Sequence, residues 1–159
     1  MKKAIATALA LVMSSSLATA QSLSWKPDYK FDQKFNRLAK NFKLPVKIEA
    51  VGCDPAYVRE IGYCYWSFYR EHEIKQNSTG WEAFTNYGIK KESRAFLTVF
   101  LAATMSLDRK TAENMATKLV NACSKGKCLV AWDHGEWSLN ADQNGVIVFQ
   151  NEGDECDGC

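Results

Sequence analysis

The chain is poor in proline, glycine and histidine, with 3, 9 and 2 of each among 159 residues. So little Pro and Gly excludes a collagen-like or Pro/Gly-rich disordered chain. With two histidines there is no His-Glu-x-x-His run, so the helical zinc-protease pattern is absent. No Gly-x-Ser-x-Gly elbow and no Gly-rich phosphate loop occurs either, and no cofactor is implied. No apolar run reaches the ~20 residues that a membrane-spanning helix needs. Lys and Arg stop at Lys127, and residues 128–159 carry seven acids and no base.

What is present is an ordinary globular composition, 47% hydrophobic and 24% charged. The length suits one domain, since domains cluster at ~100–150 residues. Residues 1–20 read as a signal peptide. Met1-Lys2-Lys3 is a positive start, Ala4 to Met13 is apolar, and Ala18-Thr19-Ala20 is a small-x-small box. Cleavage is expected between Ala20 and Gln21, leaving residues 21–159 as a single domain. The first cysteine is Cys53, so no lipid anchor is expected at the new N-terminus. The destination is a bacterial periplasm or the medium.

Without Lys2 and Lys3 the balance is 18 basic to 18 acidic residues. A globally basic nucleic-acid binder is therefore not indicated. The charges are polarised instead. Lys30, Lys34, Arg37, Lys40 and Lys43 crowd an early segment, and an acidic tail runs from about 151. A run of like charge is most simply a solvated face, or a partner for the opposite charge.

Phe31, Phe35, Leu38 and Phe42 recur at helical spacing, so 28–43 is expected to be an amphipathic helix stopped by Pro45. Val46, Ile48 and Ala50 alternate with charge, as in a half-buried strand. Gly52-Cys53-Asp54-Pro55 reads as a turn. Tyr63 to Arg70 has period-2 character, with Cys64, Trp66 and Phe68 on one face and Tyr63, Tyr65 and Tyr69 on the other. Residues 81–89 fit a second strand, with Trp81, Phe84 and Tyr87 equally at helical spacing, and 93–105 a buried helix. Ser106 is placed to cap a further helix that reaches about Cys123. Residues 128–132 and 136–141 form a hairpin around Asp133-His134-Gly135. Asn144-Gly145 suggests a tight turn with positive φ, followed by a strand over 146–149. These elements argue an α+β domain: an antiparallel sheet with helices packed on one face.

The six cysteines are Cys53, Cys64, Cys123, Cys128, Cys156 and Cys159. An even number in an exported chain reads as a disulfide framework. Six cysteines allow 15 pairings, and local loops favour the sequential set. A redox or zinc role for Cys156-x-x-Cys159 is opposed by Asp154, Glu155 and Asp157, which destabilise thiolates, and by an oxidising compartment.

Three functional readings follow. The leading one is a non-catalytic binding module, such as an inhibitor, immunity or accessory protein of the envelope. Its partner is a protein or envelope component, and Tyr63, Tyr65 and Tyr69 are the candidate contact residues. The second is a small enzyme using Asp133, His134 and Glu136, the one place where acids and an imidazole cluster. The third is a structural component of a secreted or surface assembly. His72 falls at a charged strand end and takes no functional role.

Overall fold

In the computed structural model the described residues are 25–150, apart from 69, 70, 126, 127, 129, 135 and 136. The first described element is α1 (Phe31–Phe42). This helix starts three residues later than its apolar spacing suggests, because Asp28 is used beforehand. The Asp28 amide donates to Gln76 Oε1 at 2.7 Å, and the Asp28 carboxylate accepts from Lys30 N at 3.1 Å. Phe31, Phe35 and Ala39 turn inward, and the chain leaves the helix through a left-handed Lys43 before Pro45.

Val46 and Ile48 are buried, but ladder pairing starts only at β1 (Glu49–Gly52). At Ile48 the Asn36 amide stands in for a strand. It accepts from Ile48 N and donates to Ile48 O, both at 2.9 Å.

The expected turn at 52–55 is the start of a short helix, α2 (Pro55–Ile61). Asp54 caps it, accepting from Ala56 N at 2.8 Å and Tyr57 N at 3.1 Å. Pro55 fits the first helical position, where no amide hydrogen is needed.

Then come β2 (Cys64–Phe68), β3 (His72–Asn77) and β4 (Gly80–Thr85). β3 was not anticipated, since its charges hide the alternation of His72, Ile74 and Gln76, all buried. The helical layer continues with α3 (Lys90–Met105) and α4 (Arg109–Cys123). Ser106 does not cap α4; it closes α3 in the left-handed region. Asp108 is the cap of α4, accepting from Thr111 N at 3.1 Å. The last described elements are β5 (Val130–His134), β6 (Trp137–Ala141) and β7 (Gly145–Gln150).

All strand pairs are antiparallel, in one seven-stranded sheet ordered β1-β2-β3-β4-β7-β6-β5. The three long helices lie on one face of it. Phe31 of α1 packs on Trp66 and Trp81 at centroid distances of 5.2 and 4.2 Å. Phe96 of α3 packs on Phe35 and Phe68, and Lys118 of α4 lies over Trp132 of β5. This is the expected α+β arrangement, confined to one small domain.

Gly145 has a role different from the expected one. It is not among the positive-φ glycines. It is where β7 crosses tightly against β4: a Cβ there would stand 2.1 Å from the Ala83 carbonyl oxygen. The turn itself is made by Asp142, whose carboxylate accepts from Asn144 N and Gly145 N at 2.7 and 3.1 Å.

Among the described residues two disulfides are formed, Cys53–Cys64 and Cys123–Cys128. Cys156 and Cys159 lie outside the described residues, as do the signal segment with Ala20–Gln21 and the acidic tail.

His72 is corrected most sharply. It is the first residue of β3, at a strand end as expected, but it is fully buried despite its charged neighbours. Its ring stacks on Phe68 and Phe96 at 5.5 and 4.8 Å, and its Nδ1 meets Thr85 Oγ1 at 2.7 Å. Burial holds its pKa below the ordinary imidazole value, against the pull of Glu92 and Glu71.

Candidate functional site

Strand alternation gives the sheet a second face, away from the helices. On β2 the pattern is strict: Cys64, Trp66 and Phe68 are buried, while Tyr65 and Ser67 are half-buried. The register then builds the outer surface. Tyr65 lies opposite Lys75, Ser67 opposite Glu73, Lys75 opposite Glu82 and Glu82 opposite Ile147. Among the described residues only α2 reaches this side, at its edge. Gly52 permits that approach, since a Cβ there would lie 2.4 Å from the Tyr57 ring.

The result is an aromatic cluster threaded by charge. Tyr57 and Tyr63 meet edge to face at 6.2 Å. The Lys75 ammonium sits 5.5 Å from the Tyr63 ring centre and 4.8 Å from that of Phe84, within cation–π range. Partial burial, then the hydrogen bond to Glu73, push the Tyr65 hydroxyl up to about 12. Burial and the nearby Tyr63 also raise Tyr57. Both hydroxyls therefore remain protonated donors at neutral pH. Ile147 adds an apolar spot, 45% exposed.

Of the residues singled out from the sequence, Tyr63 and Tyr65 fall in this cluster, and Tyr69 lies outside the described residues. Tyr57, Lys75, Phe84 and Ile147 were missed. Tyr57 lies between the expected turn at 52–55 and the strand from Tyr63, in a stretch that carries no local period, and the others belong to strands whose register only the folded sheet supplies.

The second candidate group is placed on the opposite edge of the sheet. Asp133 is exposed on β5 and accepts a hydrogen bond from Ser138 at 2.6 Å. It borders a shallow pocket of about 220 Å³ shared with Lys118 and Trp132. His134 is the next residue and pairs with Trp137. Glu136 lies outside the described residues.

The described residues contain no cluster of three or more His, Cys, Asp or Glu able to hold a metal ion. No described helix is long and apolar enough to cross a membrane. Comparison with protein-family models, with curated proteins and with solved structures finds no match in any of the three.

Proposed function

We propose that the protein is an exported, non-catalytic binding module that contacts a folded protein partner through the outer face of its sheet. The reading rests on one observation: Tyr57, Tyr63, Tyr65, Phe84 and Ile147 gather on the face that the three long helices leave open. Aromatic rings of this kind bury area at small entropic cost and are enriched at protein interfaces. The shape also matters. Small molecules are held in concave pockets, whereas a broad sheet face matches the extended surface of another protein. Lys75, Glu73 and Glu82 run between the rings and supply charges of both signs for orienting a partner. Export through residues 1–20 belongs to the same reading, and two disulfides suit an oxidising compartment.

The test is site-directed photocrosslinking in envelope extract, with the crosslinker placed in turn at Ile147 and at Lys34 on α1. A discrete adduct from Ile147, absent from Lys34 and lost on Tyr65→Ala, is the expected result. Equal labelling from both positions, or none from Ile147, overturns the proposal.

A further inference from the structure

On the helical side, a pocket of about 530 Å³ opens between the α1–β1 connection and the first turns of α3, with Glu113 of α4 at its border. Its volume lies within the ~300–1,000 Å³ typical of small-molecule sites. Leu44, Pro45, Val46, Ile89 and Ala95 supply an apolar wall. Such a wall is well suited to a hydrocarbon body.

The polar lining is uneven in what it has left to give. Thr98 spends its hydroxyl on the Arg94 carbonyl at 2.7 Å. Glu113 lies 3.7 Å from the Arg109 guanidinium. Lys91 and Glu92 add one charge of each sign. Arg94 differs from these. Its Nε is buried with no hydrogen-bond partner among the described residues. Buried donors are almost always satisfied, so an orphan on a residue that lines a pocket marks a place for an external acceptor. The guanidinium fork matches a carboxylate better than it matches a neutral oxygen.

We propose that this pocket binds a small amphipathic anion, an acyl chain ending in a carboxylate, with Arg94 holding the head and the Leu44–Val46 and Ile89 wall holding the chain. The protein's own C-terminal segment is a poor occupant. Residues 151–159 contain no apolar side chain apart from two cysteines, so they have acid for Arg94 but nothing for the wall. The site is separate from the outer sheet face, and the two proposals stand or fall independently.

Sodium laurate is the probe, titrated below micelle formation into the oxidised full chain and followed by calorimetry and thermal melting. One laurate per chain is expected, with a rise in melting temperature. Dodecanol, which keeps the chain and lacks the charge, and acetate, which keeps only the head, are each expected to bind at least tenfold more weakly. Arg94→Gln should weaken laurate at least tenfold and leave dodecanol unchanged. Ile89→Asp, at an exposed position, should weaken both ligands and covers the case in which the arginine variant folds poorly. Tyr65→Ala should change neither. Equal binding of laurate and dodecanol, laurate binding that survives Arg94→Gln, or no saturable binding at all overturns the proposal.

Discussion

On β2, two chain neighbours live in different worlds. Trp66 is completely buried, in ring contact with Phe31 and Trp81. Tyr65, one residue earlier, faces away from the helices and shares its side of the sheet with Lys75 and Glu73. Both belong to the same antiparallel ladders, so backbone pairing cannot account for the difference. The helices account for it. They remove water from one face and leave the other half-wet, so large rings serve packing on one side and remain available for contact on the other.

The largest break in this comparison should come from truncating its two members. Trp66→Ala leaves a cavity in a well-packed core and should cost about 3–5 kcal/mol. Tyr65→Ala should cost about 1 kcal/mol or less, as for a partly exposed site. Chemical unfolding of the pair decides the matter; equal losses would make both faces core.

The second break is at the staples. Cys53–Cys64 ties the α2 approach to the covered face of β2, and Cys123–Cys128 ties the end of α4 to the strand that follows. Paired Cys→Ser changes should cost about 3 kcal/mol for the first and about 2 kcal/mol for the second, from loop-closure entropy. Melting with and without reductant should reproduce that order.

A pH titration sharpens the comparison further, because the covered face holds the buried imidazole of His72. With its folded pKa lowered, His72 takes up a proton more readily in the unfolded chain. Stability should then fall as pH drops below about 6.5, by at most about 1.4 kcal/mol per unit. The loss should level off once the pH passes the folded value. The double change His72→Phe with Thr85→Val removes both members of the polar pair and should flatten this window. Asp54 and Asp108, held below their ordinary values first by the hydrogen bonds they accept, act only at more acidic pH. A slope that persists in the double variant would assign the effect elsewhere.

The smallest effect concerns charge. Within the described residues the ion pairs are Lys47–Glu49 and Arg109–Glu113, and no base of α1 takes part in one. β7 ends beside β4, whose Trp81 contacts Phe31 at the start of α1. The strand that precedes the acidic segment is thus one ladder away from a residue in contact with α1. Neutralising Glu152, Asp154 and Glu155 should lower stability by about 0–1 kcal/mol at low salt and less at high salt. An equal shift at both salts would point to packing.

Much of this was legible along the chain. The Phe31–Phe42 spacing announced α1, and the nearly all-apolar stretch from Ala95 announced the buried α3. The period-2 pattern at 64–68 correctly separated Trp66 from Tyr65. Two local disulfides agreed with the shortest loops. The losses came where side chains act at a distance. β3 was hidden because His72 and Gln76 look like surface residues until Phe96 closes over one and Asp28 bonds the other. α2 was hidden because Asp54-Pro55 begins a turn and a helix with the same residues.

The sequence by itself determined the alternation and the helical stripes, because both follow from periods of 2 and 3.6 residues that need no knowledge of neighbours. It also determined which cysteines could meet cheaply. Only the tertiary structure decided which strands lie side by side, and so which residues share the outer face. Tyr63 and Phe84 are brought to one lysine by the register of β2, β3 and β4. The Arg94 pocket arises only when the chain after α1 returns against α3. These juxtapositions join residues far apart in sequence, and no local period encodes them.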